Sequence, residues 1–299
     1  MKTFLSVSKR NVKLFFKDKG LFFTSLITPL ILLVLYATFL SNVYSDSIST
    51  VFKEYGVELP EKIMNGIVGG QLFSSLLSVS CVTVAFCSNM LMVQDKVSGA
   101  RKDLLITPLK KQTLALSYYV ASLISTLIIC FVATGACIIY VGSTGWYMSF
   151  ADVLLVILDV FLLVTFGTAI SSVINYFLSS QGQISAVGSI VSSCYGFICG
   201  AYMPLSSFGV GLQKAVMFLP GTYGTSLLRN HAISGVLKEM GKNGYPSVAI
   251  EGLKDAIDCN IYFFGTQVSI GSMYLVLGLS VLALIGAYVL INVLDKRKG

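Results

Sequence analysis

The chain has 299 residues, of which 55% are hydrophobic and only 12% are charged. Soluble proteins carry about twice that share of charged residues, because their surface faces water. The composition therefore excludes an ordinary soluble fold and indicates an integral membrane protein. The net charge of +7 comes from basic residues that flank apolar segments, so it does not indicate nucleic-acid binding.

Residues 1–20 predict an amphipathic helix that lies in the membrane interface. At about 100° per residue, apolar side chains such as Phe4 and Phe15 share one arc, and cations such as Lys9 and Lys13 fill the opposite arc. Such a helix places its apolar side in the acyl boundary and its cations near the headgroups. A simple topology anchor and a docking surface for a cytoplasmic partner both fit this pattern.

Six long apolar segments predict transmembrane helices. A helix needs about 20 apolar residues to cross the hydrocarbon layer, and lipid offers no partners for an open backbone. The alternation of a β-barrel strand is absent from these segments. The predicted fold is therefore all-α, in one transmembrane domain over residues 1–299, with spans at residues 21–40, 68–93, 113–141, 153–178, 184–203 and 269–294.

The distribution of basic residues predicts the orientation of these spans. Most of the 21 basic residues precede the first span, lie between the second and third, or follow the last. Six spans place these three segments on one side, so both termini are expected in the cytoplasm. Residues 43–65 are then expected to form a short polar loop outside.

Residues 94–111 form a cytoplasmic loop of mixed charge. The composition predicts a short helix that is closed by Pro108, with Leu104 and Leu105 left to pack. A solvated connector and a plug for a protein socket are both compatible with this segment.

Residues 204–268 predict a re-entrant and outer region. The sequence has no charge from residue 184 to residue 213, which exceeds one span, and the following segment is interrupted by Pro204, Gly209, Gly211, Pro220, Gly221 and Gly224. Broken apolar backbone at membrane depth requires a cover of protein or a water-filled cavity. We therefore expect two short re-entrant helices in the outer leaflet, and a small surface helix within residues 247–258.

Asp159 is an ionisable residue inside a predicted span. A carboxylate at the bilayer centre costs about 2.5–3.5 kcal/mol on insertion scales, and this cost falls toward the interface. Asp159 lies within about two helical turns of the outer end. Snorkelling of the side chain or a hydrogen bond between helices is therefore favoured over a role in a substrate or proton pathway.

No catalytic or metal-binding constellation is found. His231 is the only histidine, and no cysteine pair has the spacing of metal ligands. Residues 235–243 come nearest to a phosphate loop, but they have one residue too many and Asn243 where Ser or Thr must hold magnesium. We therefore predict no catalytic residue, no metal site and no bound nucleotide, so that any ATPase is a separate polypeptide.

Three places resemble the type-2 ATP-binding-cassette exporter permeases, a family that includes daunorubicin-type drug, polysaccharide and lipid exporters. The first is the basic amphipathic helix that runs into the first span. The second is the inner loop, where the family tends to show an acidic residue, then Gly-Thr, then Leu, and then a Thr/Ser-Pro pair. In this chain the corresponding residues are Asp95, Gly99-Ala100, Leu104 and Thr107-Pro108. Ala100 departs from the usual Thr. The third follows the fifth span and reads Gly200-x-x-x-Pro204, Leu219-Pro220, Tyr223 and Arg229.

The resemblance implies three groups of functional residues. The inner loop is a coupling helix that sits in a cleft of the ATPase, which implies contact by Asp95, Gly99, Arg101, Leu104, Leu105 and Pro108. The broken segment implies an outer gate formed by Gly200, Pro204, Pro220, Tyr223 and Arg229. Spans two and five usually line the pathway, so the candidates for substrate contact are Phe73, Phe86, Tyr195 and Phe197, to which we add Asp159.

The resemblance also implies a function and partners. The chain is expected to be the permease of an exporter in the bacterial cell membrane, moving a hydrophobic or amphipathic substrate outward by alternating access. ATP and magnesium are expected on two copies of a P-loop ATPase subunit, with a second permease copy or paralogue and membrane lipid as further partners. Two alternatives remain open: a proton-coupled secondary transporter that uses Asp159, which predicts internal repeats, and an accessory or immunity protein that transports nothing.

Overall fold

The computed structural model describes residues 2–54, Gly56 and residues 58–294, and these residues are almost entirely helical. Its helices are α1 (Lys2–Lys17), α2 (Lys19–Leu35), α3 (Ser41–Glu54), α4 (Glu61–Val97), α5 (Ala100–Ile106), α6 (Lys111–Thr144), α7 (Phe150–Phe177), α8 (Gln181–Ile198), α9 (Val210–Val216), α10 (Pro220–Lys242), α11 (Ser247–Ala256) and α12 (Ile270–Leu294). A π-helical turn (Tyr36–Leu40) joins α2 to α3, and a 3-10 turn (Leu205–Ser207) precedes α9. Strands β1 (Tyr262–Phe263) and β2 (Thr266–Gln267) pair antiparallel as a small hairpin before α12.

Five helical segments in the described part of the chain are long and apolar enough to cross a membrane. They are Lys19–Thr50, Glu61–Val97, Lys111–Thr144, Phe150–Phe177 and Ile270–Leu294. The chain is therefore an all-α membrane protein, as the composition predicted. Helix α8, expected as a span over residues 184–203, has only 18 residues and begins with the polar Gln181 and Gln183. The six-span count accordingly stays a prediction.

Helix α4 is the centre of the molecule. It packs against α2, α6, α7, α8 and α10, and nearly all of its side chains are buried. Many of them are small, such as Ser74, Ser75 and Ser78, which lets neighbouring helices approach closely. Helix α12 lies at the periphery, where Leu279 and Leu282 leave an exposed apolar face that suits lipid.

The first span is longer than the sequence indicated, and the predicted polar loop at residues 43–65 is wrong. The π-helical turn continues α2 into α3 without a break as far as Glu54. The polar side chains do not end the helix, because Ser47 and Thr50 donate hydrogen bonds to carbonyls one turn earlier, and Ile48 and Phe52 are buried on the opposite side.

Helix α1 packs along α6, and only part of its apolar arc is free for lipid. Val7, Asn11 and Phe15 are buried at intervals of one turn, whereas Leu5 and Phe16 are exposed. The predicted segment 1–20 divides at Asp18, whose carboxylate caps α2 by accepting from the Leu21 N–H at 3.1 Å.

The region after α8 contains one short and one long helix, where two short ones were expected. Helix α9 has 7 residues, but α10 has 23. Gly221 and Gly224 were expected to interrupt a helix, yet both lie inside α10, where Gly224 makes room for Leu163 of α7. The surface helix expected within residues 247–258 is confirmed as α11.

Candidate transport and coupling sites

The inner loop between α4 and α6 has a backbone that its glycine and proline dictate. Gly99 has a φ of +87°, a conformation that side-chain-bearing residues rarely adopt, and it turns the chain directly before α5. Thr107 is extended, as expected of a residue before proline, so that α5 ends ahead of Pro108. The predicted short helix closed by Pro108 is therefore confirmed.

The exposed tip of this loop contains a residue that the sequence reasoning missed. Leu104 and Leu105 are half-buried against the cluster that includes Val7 and Tyr118. Ile106, by contrast, is 84% exposed at the end of α5. An apolar residue among charged residues in the loop between α4 and α6 was the available signal in the sequence, because exposed apolar side chains mark contact surfaces.

Asp95 is buried inside the protein. Its carboxylate accepts hydrogen bonds from Arg10 Nη1 and from Tyr118 Oη, both at 2.7 Å. The bond to Asp95 raises the pKa of the Arg10 guanidinium, against the opposing effect of burial. Asp95 thus ties α1, α4 and α6 together, and its predicted contact with an ATPase stays a prediction.

A cavity of about 430 Å³ lies between α4, α7, α8, α12 and the start of α10. Two of the predicted substrate residues, Phe86 and Tyr195, line it, together with Phe166, Cys194 and Ser280. None of the described residues that line the cavity is charged. Its size and apolar walls are typical of a small-molecule site.

The other two predicted aromatic residues lie elsewhere. Phe73 borders a smaller cavity of about 170 Å³ between α2, α4 and α6. Phe197 is 48% exposed on α8 and packs edge-to-face on Tyr202. The structure therefore does not bring the four aromatic residues into one site.

Asp159 joins three helices through hydrogen bonds. Its Oδ2 lies 2.6 Å from Nδ1 of His231 on α10, and its Oδ1 accepts from Tyr274 Oη on α12 at 2.6 Å. Asp159 is fully buried and does not border the 430 Å³ cavity. This arrangement satisfies a carboxylate at membrane depth without requiring a transport role.

Two of the predicted gate residues, Arg229 of α10 and Gly200, contact each other. The guanidinium is fully buried and donates to the carbonyls of Ile257 at 2.7 Å and Gly200 at 3.0 Å, and to Ser75 Oγ of α4 at 3.2 Å. Gly200 has a φ of +74°, so a glycine is needed for the turn that presents its carbonyl. Arg229 therefore fastens the end of α8 to α4 and to the segment after α11.

Asp258 completes this network and was missed by the sequence reasoning. Its Oδ2 lies 3.4 Å from Arg229 Nη1 and accepts from the Leu205 N–H at 2.9 Å. Burial raises the pKa of the Asp258 carboxyl to about 6, although Arg229 opposes the shift. In the sequence, Arg229 itself indicated that an acidic partner exists, because an arginine in an apolar segment requires a counter-ion.

The remaining predicted gate residues shape the connection between α8 and α10. Pro204 directly precedes the 3-10 turn, and Pro220 is the first residue of α10. Tyr223 donates from its hydroxyl to the Met217 carbonyl at 2.7 Å, which holds the end of α9 against α10.

The comparisons with known proteins give one match. A family model described as an ABC-2 type transporter matches residues 2–231 of this chain. That range contains the loop of residues 94–111 and Arg229. It also contains α4, α7 and α8, which form walls of the 430 Å³ cavity. No curated protein and no solved structure matches the chain.

Proposed function

From the premise that this chain belongs to the ABC-2 type transporter family, we propose that it is the membrane-spanning subunit of an ATP-driven exporter. Membership shows a membrane transport permease, and the family works with an ABC ATPase subunit. The proposal adds the direction of transport, the coupling residues and a hydrophobic or amphipathic substrate.

The observation that carries the proposal is the continuity of α4. This single helix runs from the coupling loop at Val97 past Asp95 to Phe86 in the wall of the cavity. At about 1.5 Å per residue, roughly 16 Å separate Phe86 from Val97. Because a helix is stiff over this distance, displacement of α5 moves the cavity wall.

In the proposed cycle, a separate ATPase moves α5, and the motion passes through this chain to the cavity. ATP and magnesium bind to two copies of a separate ATPase subunit. Ile106 and Pro108 lie in a cleft of the ATPase, so closure of the ATPase dimer displaces α5. The Arg10–Asp95 ion pair makes α1 follow α4. In a dimer of six-span permeases with cytoplasmic termini, the substrate leaves past the Arg229 network.

A charge at the tip of α5 tests this proposal. Ile106→Asp places a carboxylate where the proposal requires an apolar contact, so we expect at least a tenfold loss of ATPase co-purified with the tagged permease. Lys102→Glu, on the exposed side of the same helix, is the matched control for a changed charge. Unchanged ATPase recovery with Ile106→Asp, or purification of the wild-type permease without any ATPase, would contradict the proposal.

A second candidate function follows from the Asp159–His231 contact, because two titratable groups 2.6 Å apart could relay a proton. Proton-coupled transport predicts that Asp159→Asn abolishes uptake driven by a pH gradient in proteoliposomes. Under the ATP-driven proposal, the same variant retains ATP-dependent transport and changes mainly thermal stability.

A further inference from the structure

A further cavity lies at the end of the molecule away from the loop of residues 94–111. Its volume is about 520 Å³, and its walls come from the 3-10 turn, α9, the end of α11 and the hairpin of β1 and β2. The hairpin ends at Gln267, and α12 begins at Ile270. The opposite end of α12 lies beside the start of α6, because Tyr288 donates to the Ala115 carbonyl at 3.2 Å. This surface cavity is therefore at the membrane face opposite that loop.

Charged side chains of both signs line the surface cavity. Lys214 of α9 is the cation, and Asp255 and Asp258 are the carboxylates. Among the described residues, Lys214 and Asp255 take part in no ion pair, whereas Asp258 pairs with Arg229. The charges of Lys214 and Arg229 together balance those of the two carboxylates. The cavity is therefore bipolar, which suits a ligand that carries both signs of charge.

Each carboxylate keeps one oxygen free of protein donors. Asp255 Oδ1 accepts from Asn260 Nδ2 at 2.8 Å and from Tyr262 Oη at 2.9 Å. Asp258 uses Oδ2 for the Leu205 N–H and for its arginine partner. No described residue donates to Asp255 Oδ2 or Asp258 Oδ1. The Asp258 side chain is only 7% exposed and lines the cavity, so its free oxygen seeks a donor there.

The rim of the surface cavity is aromatic. Lys214 Nζ lies 5.7 Å from the ring centre of Phe264, which favours the cation at this place. The Phe264 ring packs edge-to-face with Phe218 and Phe263, with centroids 6.0 and 4.8 Å away, and Phe218 and Phe264 are mostly exposed. Phe264 has a φ of +49°, which is uncommon for a bulky residue, so the hairpin turn exposes this ring against its backbone preference. Exposed rings beside a lysine at a membrane face are typical of contact with lipid.

We infer that the surface cavity binds the headgroup of a zwitterionic phospholipid that has a primary ammonium group. The phosphate pairs with Lys214, and the ammonium donates its N–H groups to the free oxygens of Asp255 and Asp258. The acyl chains pass the rings of Phe218 and Phe264 into the bilayer. An anionic headgroup leaves the carboxylates without a donor, and a cationic headgroup leaves Lys214 without a counter-ion. This site does not depend on ATP-driven export.

The test is native mass spectrometry of the purified, delipidated permease with three lipids that share dioleoyl chains. They are phosphatidylethanolamine, which is zwitterionic, phosphatidylglycerol, which is anionic, and trimethylammonium-propane, which is cationic. We expect one phosphatidylethanolamine per permease, bound at least about tenfold more tightly than the other two, because a charge-assisted hydrogen bond contributes about this factor. Equal binding of the three lipids, tightest binding of a singly charged lipid, or saturable binding of none would overturn the inference.

Free phosphoethanolamine distinguishes a lipid from a soluble zwitterion. It has the same charged groups but no acyl chains to contact the aromatic rim, so it should compete at least about tenfold more weakly than phosphatidylethanolamine. Competition as strong as that of the lipid would overturn the assignment to lipid.

Two charge-neutralising variants make the test specific. Asp255→Asn should weaken phosphatidylethanolamine binding about tenfold and leave phosphatidylglycerol binding unchanged. Lys214→Met should weaken both of these lipids and leave the cationic lipid unchanged. Asp46→Asn, at an exposed carboxylate of α3, is the control and should bind all three lipids as wild type does. Thermal melting confirms that each variant is folded, and wild-type selectivity in both Asp255→Asn and Lys214→Met would overturn the inference.

Discussion

Arg229 and Asp258 show how a single buried charge organises the outer end of the molecule. A buried arginine is stabilised when its donors find acceptors. The two terminal nitrogens of Arg229 reach carbonyls on two segments, one hydroxyl and one carboxylate, whereas its buried Nε has no partner among the described residues. Removal of the guanidinium would leave Asp258 buried beside unpaired carbonyls. The network is therefore a point at which one substitution affects several elements.

We expect Arg229→Met to destabilise the permease by about 3–5 kcal/mol, because breaking a buried pair leaves an uncompensated charge. Thermal melting in detergent, followed by size-exclusion chromatography, measures the effect. Lys238→Met is the control, because Lys238 is mostly exposed in its pair with Asp152, and the expected loss is below about 1 kcal/mol. Equal melting temperatures for the two variants would show that Arg229 is dispensable.

Because Asp258 is buried, we expect the stability of the permease to depend on pH. Burial raises the pKa of its carboxyl from 3.8 to about 6 despite Arg229. Between about pH 4 and pH 6 the folded protein binds the proton that the unfolded chain has lost, so stability falls as pH rises through this window and is level above it. The contribution is about 3 kcal/mol for a shift of about two pH units.

Melting curves of wild type and Asp258→Asn between pH 4 and pH 8 measure this contribution. The amide introduced by Asp258→Asn cannot titrate, so the stability difference between the two proteins should change up to about pH 6 and then stay constant. Asp46→Asn, at an exposed carboxylate of α3, is the control and should follow the wild-type curve. Parallel curves for wild type and Asp258→Asn would refute the prediction.

Among the elements, α4 and α7 are the pair whose packing depends most clearly on one small residue. A Cβ atom at Gly167 of α7 would lie 2.8 Å from the Cys81 carbonyl oxygen and 3.0 Å from the Val82 Cα. Both are backbone atoms of α4, and they cannot rotate aside as a side chain could. Since α4 forms one wall of the cavity and α7 another, their separation also sets the cavity's shape.

Gly167→Val should therefore force the two helices apart and cost about 1–3 kcal/mol or more from overpacking. Gly278→Val on α12 is the matched control, because a Cβ at Gly278 meets open space. Melting of the two purified variants compares the same change of residue inside two membrane helices. The prediction fails if Gly278→Val lowers stability as much as Gly167→Val does.

At the scale of the whole molecule, α8 is an apolar segment that the single chain leaves largely uncovered. Ser185, Ser189 and Ser193 form an exposed line at intervals of one turn. The Ser185 and Ser193 hydroxyls donate to their own helix, which makes this face tolerable in lipid and suited to close helix packing. We propose that a second permease subunit covers it.

Ser189→Trp should block this contact and weaken permease dimers at least tenfold, as read from subunit counting in nanodiscs. Leu279→Trp, at an exposed position of α12, adds the same bulky side chain to a face that we assign to lipid, and it should leave the dimer intact. If Ser189→Trp dimerises as wild type does, the second subunit binds elsewhere.

The amino-acid sequence alone is enough to establish that this chain lies in a membrane as helices. A long uncharged segment is stable in lipid as a helix, because every backbone polar group needs a hydrogen-bond partner within its own segment. The short helix in the loop of residues 94–111 was also predictable, since Gly99 and Pro108 set the backbone locally. The family resemblance singled out Phe86 and Tyr195 as candidates for substrate contact and Arg229 as a candidate gate residue. The match to the family model agrees with this resemblance.

Contacts between residues that are distant in the chain become visible only in the folded structure. The bonds of Arg10 to Asp95, of Arg229 to Asp258 and of Asp159 to His231 join positions far apart in the chain. Their energies depend on distance and burial, which no local pattern encodes. The same holds for the uninterrupted helix through Gly221 and Gly224, because a glycine ends a helix or admits a neighbour according to what packs against it.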